Sequence, residues 1–165
     1  MKMRKVLIVT LLVLVGLLSG CASIEDESKE TVSSVETAFN AQPEKTNSEN
    51  DGISFYLPST MKIEEKVENN VILQKGDQTF ILFVNPNEKR TSEVLYEAVD
   101  AKEFEVDKTY TDKERFGYVK VFEIEDNQYL VTVGIGGIKM TTETKVSDIS
   151  ESAGEMMKIV SSVKY

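Results

Sequence analysis

The chain has no histidine and no tryptophan, and Cys21 is the only cysteine in its 165 residues. Each absence closes a class of chemistry. Without histidine, the Ser-His-Asp and Cys-His constellations of nucleophilic catalysis are unavailable. Zinc loses its usual nitrogen and sulfur ligands. A serine–lysine pair is no substitute, because no Ser-x-x-Lys stands at a plausible helix start within the folded region. A lone thiol makes no intrachain disulfide, so the domain must be stabilised by its core alone. The lack of tryptophan also weakens a glycosidase reading, which needs two carboxyls across a cleft flanked by sugar-stacking surfaces.

What is present is clearest at the amino end. Lys2, Arg4 and Lys5 form a basic head, and an apolar run from Val6 to Leu18 follows, interrupted only by Thr10 and Gly16. As a helix this run would be about 20 Å long at ~1.5 Å per residue. A spanning helix must cross ~30 Å of hydrocarbon. Basic head, short apolar run and small residues before a break are the parts of a secretory signal peptide. The sequence Leu18-Ser19-Gly20-Cys21 resembles the lipobox of bacterial lipoproteins. That resemblance implies recognition of Leu18, Ser19 and Gly20 by a signal peptidase, cleavage before Cys21, and a diacylglyceryl group on the Cys21 sulfur. Two acyl chains at ~0.8 kcal/mol per buried methylene anchor a protein firmly, where one chain does not. The chain is therefore expected to be extracytoplasmic and lipid-anchored. Ala22 carries no aspartate retention signal, which favours a Gram-positive cytoplasmic membrane, although both envelope types use the box.

Residues 1–20 carry three basic and no acidic side chains; without them 16 basic residues face 28 acidic ones, a net charge of −12. Phosphate backbones repel such a chain, so no nucleic-acid partner is expected.

Residues 22–51 hold eight acidic and two basic residues, with Ile24, Val32, Val35 and Phe39 the only larger apolar ones. This composition suits a segment that cannot bury enough surface to order itself. Residues 21–51 thus read as the lipidated cysteine and a flexible acidic linker, spanning about 30 Å as a coil. Val32, Val35 and Phe39 have loose helical spacing, consistent with a transient turn or a docking motif.

Residues 52–165 read as one folded domain. Ile53 to Leu57 is a strand closed by Pro58-Ser59, and Met61 to Val67, Val71 to Lys75 and Gln78 to Asn85 form a meander. Asn69-Asn70 and Gly76-Asp77 tolerate the positive φ that hairpin turns demand. Thr91 or Ser92 can cap a helix carrying Leu95, Ala98 and Val99 on one face. Phe104 and Val106 alternate with Glu103, Glu105 and Asp107, as in a strand with one wet face. Tyr118 to Glu125 and Gln128 to Ile135 flank an Asp126-Asn127 turn. That pairing sets Ile124 against Tyr129, Phe122 against Val131 and Tyr118 against Ile135. A helix from about Ser147 to Ser161 closes the chain, with Asp148 and Glu151 as a capping box. Ile149, Ala153, Met156, Met157 and Val160 form its apolar stripe. The expected fold is α+β, an antiparallel sheet of about six to seven strands covered by two helices.

The opening Gly52-Ile53-Ser54-Phe55-Tyr56-Leu57-Pro58, the element order, and the closing helix running into Ser162-Val163-Lys164-Tyr165 resemble a PsbP-like or DcrB-like domain. The resemblance implies an antiparallel sheet between helices, as in membrane-associated and lipid-anchored proteins with accessory or binding roles. It departs after the entry proline, where Ser59-Thr60-Met61 replaces a frequent aromatic.

Two groups invite a ligand reading. Glu103, Glu105 and Asp107 on one side, and Glu123, Glu125, Asp126 and Asn127 on the other, supply oxygens but not the loop pattern of an EF-hand. Solvated strand surface explains them as well. Val133-Gly134-Ile135-Gly136-Gly137-Ile138-Lys139 suggests a phosphate cradle, yet its spacing matches no phosphate-binding motif. Its glycines fit a bulge, a bend, or close approach by the closing helix. No catalytic residue, metal site or cofactor is expected. The leading reading is a non-enzymatic lipoprotein that binds another envelope protein or assists its assembly. The alternatives are a small-ligand or cation-binding lipoprotein and a cell-wall carbohydrate-acting enzyme.

Overall fold

The computed structural model describes residues 23–165. Leu18, Ser19, Gly20 and Cys21 lie outside the described residues. Helix α1, Ile24–Asn40, comes first, followed by the short strands β1 (Ser48–Asn50) and β2 (Ile53–Phe55). The meander β3 (Lys62–Val67), β4 (Asn70–Lys75) and β5 (Gln78–Val84) leads to a single helical turn, α2 (Val94–Glu97). Strands β6 (Val106–Thr111), β7 (Phe116–Glu125), β8 (Gln128–Ile135) and β9 (Ile138–Thr144) precede the closing helix α3 (Ile149–Ser162). The fold is α+β: seven strands pair in the order β3-β4-β5-β9-β8-β7-β6, all antiparallel, and β1 and β2 form a separate two-stranded sheet.

The turns form where the sequence supplies residues for them. Asn69, Gly76, Asn127 and Gly136 all have positive φ at hairpin tips, a conformation in which Gly and Asn are least strained. Strand β9 is an addition to the expected order. Ile138, Met140, Thr142 and Thr144 point inward while Lys139, Thr141 and Glu143 point away, and the hairpin at Gly136-Gly137 inserts this strand between β8 and β5. Ile53–Phe55, by contrast, does not join the main sheet. It pairs with β1 and is bridged to Lys164 by two backbone hydrogen bonds of 2.8 Å at Ser54.

The β7–β8 register also departs from the expectation. Glu125 stands opposite Gln128, but an irregularity between Glu123 and Glu125 shifts the pairing by one residue. Phe122 therefore faces Leu130, and Tyr118 faces Gly134. A one-residue slip moves side chains to the other face. Val119 and Val121 consequently lie in the helix-covered core, and Tyr118 and Phe122 on the opposite face.

The core lies between one sheet face and two helices. Ile149, Ala153, Met156, Met157 and Val160 of α3 are all fully buried, against Leu73, Phe80, Leu82, Met140 and Val131 among others. The capping box expected at its start is not made, since Asp148 forms no side-chain cap. Instead the Glu27 carboxylate reaches across from α1 and accepts the Ser150 N–H at 3.2 Å.

Helix α1 overturns the expectation of a flexible linker over residues 21–51. Ser23 caps it, its Oγ accepting the Asp26 N–H at 3.2 Å, and Val35, Ala38 and Phe39 are buried. Isolated short helices are marginal, but this one has an apolar partner. Val32, Val35 and Phe39 dock onto the chain's own core, Phe39 stacking near Tyr110 at 5.7 Å. The Tyr110 hydroxyl donates to the Val32 carbonyl at 3.0 Å and ties α1 to β6. Close approach of α1 to α3 needs the bare backbone of Gly154, where a Cβ would overlap the Ser34 hydroxyl. The folded unit thus begins at Ile24, not Gly52. If residues 24–40 were a spacer, Phe39→Ala would leave stability unchanged. We expect it to cost about 3–5 kcal/mol, the usual price of emptying a buried phenylalanine site, read as a lowered denaturant midpoint.

Candidate functional site

Among the described residues no long helix covers the sheet's second face. The connection from Val84 to Val106 passes over it as a strap, because β5 and β6 are separated by β9, β8 and β7. The expected helix at 91–99 is only one turn, Val94–Glu97, with the Ser92 hydroxyl accepting the Val94 N–H at 3.3 Å. A seven-residue amphipathic run is too short to persist unaided, and the chain must span three strands here.

Lys120 pins the strap. Its side chain is 7% exposed. The ammonium donates to the Val99 carbonyl at 2.9 Å and stands 4.1 Å from the Tyr96 ring centroid and 4.7 Å from that of Phe104. Such desolvated cation–π contacts are worth about 2 kcal/mol. Asp107 Oδ2 lies 3.9 Å away, and Asp107 Oδ1 accepts the Tyr96 hydroxyl at 3.0 Å. Burial, and then the Asp107 carboxylate, raise the Tyr96 hydroxyl above its ordinary range. Tyr96 also packs edge-on against Phe116 and Tyr118, both at 5.5 Å. Tyr118 lies flat over Gly134, where a Cβ would overlap its ring. Its hydroxyl is buried without a hydrogen-bond partner among the described residues, and burial drives it well above the usual tyrosine range.

Beyond the strap the face is open. Register places its side chains in three transverse rows: Gln74, Thr79, Glu143 and Leu130; Ile72, Ile81 and Thr141; Asn70, Phe83 and Lys139; Thr132 and Gly134, next in the last two rows, are buried. Two hollows share Ile81 and Thr141. One, of about 440 Å³, is lined by residues including Asp77, Thr79, Leu130 and Glu143. The other, of about 290 Å³, is lined by residues including Phe83, Leu95 and Lys139. Together they make a trough along β5 and β9, acidic at one end and basic at the other, with Ile81 and Thr141 between. Ile81 on its floor is 43% exposed.

The sequence-derived candidates fare differently. Val133 to Lys139 is a strand end and hairpin, not a cradle. The Gly136 N–H donates to the Phe116 carbonyl at 2.9 Å, and the Asn85 N–H to the Gly137 carbonyl at 2.8 Å. Close approach does explain Gly136 and Gly137, but the element that approaches is the strap at Asn85, Glu88, Lys89 and Arg90 rather than α3. Asp107 contacts Tyr96 and Lys120, while Glu103 and Glu105 line another hollow together with Glu123. Glu123 Oε1 accepts the Asn127 N–H at 3.0 Å and closes its own hairpin. Among the described residues no three acidic or thiol groups converge as metal ligands. Asp77 and Glu143 share the larger hollow, but no aromatic ring lines it for a sugar to stack on. The chemistry on offer is recognition by shape, apolar contact and charge.

Sequence reasoning missed Ile81, Phe83 and Thr141 as site residues and considered Lys139 only as part of a phosphate cradle, although one signal was present. Thr79-Phe80-Ile81-Leu82-Phe83-Val84 is apolar at both parities. A strand apolar on both sides is one expected to be covered on both sides. Phe80, Leu82 and Val84 have their cover, and Ile81 does not.

Replacing Lys120 with methionine keeps the stem but leaves the Val99 carbonyl unpartnered and removes both ring contacts. We expect about 3 kcal/mol of destabilisation, from the lost hydrogen bond and cation–π contacts. Limited proteolysis would show faster cleavage within residues 99–104. No protein-family model matches the chain, and no curated protein matches it in sequence.

Proposed function

We propose that the chain is a lipid-anchored extracytoplasmic protein, non-enzymatic, that binds another envelope protein or assists its assembly through the open half of its sheet. The observation that carries this reading is the apolar part of the trough, Ile81 and Phe83 on a strand whose other face is buried, with Leu130 of β8 nearby. A layered antiparallel sheet with an accessory role is also what the resemblance to PsbP-like and DcrB-like domains implies. The lack of histidine, free thiol and converging carboxylates among the described residues gives catalysis little to work with.

The anchor rests on Leu18-Ser19-Gly20-Cys21 and takes on a different meaning once α1 is folded. Only Ala22 separates Cys21 from the helix cap Ser23. Two residues reach at most about 7 Å, so a lipid on Cys21 would hold the domain against the membrane rather than at a distance from it. A partner within reach is then a membrane protein or its juxtamembrane segment. A small-ligand reading has the same trough in its favour, but the trough is shallow and its apolar floor spans several strands.

Two measurements bear on this. Cys21→Ser is expected to abolish incorporation of labelled fatty acid and to accumulate the precursor; normal labelling would remove the anchor from the proposal. Ile81→Glu should leave the fold intact, as Ile81 is exposed. It should reduce recovery of the cross-linked envelope partner at least tenfold, and equal recovery from both proteins would discard the trough as the binding face.

A further inference from the structure

The trough restricts what can occupy it. Strand β5 is paired on both sides by β4 and β9, and β9 by β5 and β8. An extended peptide lying on these central strands would find no free backbone group to pair with, while an α-helix satisfies its own. The opposite face of the same sheet is already covered by helices α1 and α3, and sheet faces are regularly buried in this way.

The charges set the length and polarity of the occupant. Asp77 and Glu143 stand at one end and Lys139 at the other. None of the three has an ion-pair partner among the described residues. Glu143 and Lys139 are four residues apart on β9, or about 13 Å at ~3.3 Å per residue. That distance corresponds to about nine residues of helix at ~1.5 Å each. Ile81 lies between these ends, with Leu130 beside Glu143 and Phe83 beside Lys139, so that the three cross the trough in position to receive an apolar stripe.

We propose that the trough takes an amphipathic helix of the partner protein, about three turns long. Its apolar stripe packs on Ile81, Phe83 and Leu130, one end carries aspartate or glutamate toward Lys139, and the other carries lysine or arginine toward Asp77 and Glu143. Helices commonly carry acids in the first turn and bases in the last, which directs the helix amino end toward Lys139. This inference rests on the trough being the partner site and names the chemistry of what fills it.

Three fluorescent 14-residue helical peptides with the same leucine stripe test it on the full chain by anisotropy. One carries glutamates at one end and lysines at the other, the second glutamates at both ends, the third lysines at both. The mixed peptide is expected to bind at least tenfold more tightly than either of the others. Simple attraction to an acidic protein would instead favour the all-lysine peptide, and that ranking would overturn the proposal. Lys139→Glu should move the preference to the all-lysine peptide, and Asp77→Lys with Glu143→Lys should move it to the all-glutamate one. Far-UV circular dichroism checks that each variant is folded. An unchanged ranking in folded variants, or no binding by any peptide, overturns the helix inference. If Ile81→Glu still abolishes partner recovery in that case, the partner site stands and only its helical occupant is lost.

Discussion

The apolar stripe of α3, held between the sheet and α1, is the contact on which the other elements depend. Met156, Met157 and Val160 are fully buried because both neighbours are present. Helix α1 has little reason to fold by itself, being acidic and sparsely apolar, and it gains its stability from Val35 and Phe39 on the shared core. The two helices then complete each other. Gly154 lets Ser34 approach, and Glu27 supplies the cap that Asp148 does not make. A segment with the composition of a spacer thereby becomes a structural layer.

This arrangement makes the two faces of the sheet unequal. One is sealed by long helices. Among the described residues the other has only the strap, which Lys120 secures by drawing a buried ammonium against two aromatic rings and a carbonyl. A charge that deep is costly unless it is fully engaged, so the strap cannot be placed loosely. It closes the face over β7 and part of β8, with Leu95 at the edge of the open remainder. The uncovered remainder is a trough whose floor is more apolar than a purely solvated strand requires. That inequality is the feature on which the proposed binding role rests.

Much of the fold was legible in the sequence because hairpins and helix stripes are local. Asn69, Gly76 and Asn127 marked turns that form, and the α3 stripe lies where its spacing put it. The register of β7 and β8 was not legible, because a bulge near Ile124 leaves no compositional mark and reverses the faces of everything upstream. Strand β9 was obscured by glycines that look like a motif. For the site, the doubly apolar pattern of β5 was readable, but Lys139, Thr141 and Glu143 acquire meaning only beside it. Lys120 had no signal at all in a strand of otherwise mixed character.

The sequence by itself determined the expected address, through a basic head, a short apolar run and Leu18-Ser19-Gly20-Cys21, and it determined the α+β class through local periodicity. These depend on neighbours along the chain, and order of residues is sufficient to state them. Only the tertiary structure decided that residues 24–40 are a helix, that the strap rests on Lys120, and that Ile81, Phe83, Lys139 and Glu143 share one trough. Each of those depends on partners tens of residues away. Burial and charge complementarity are properties of the assembled surfaces, not of the order of residues.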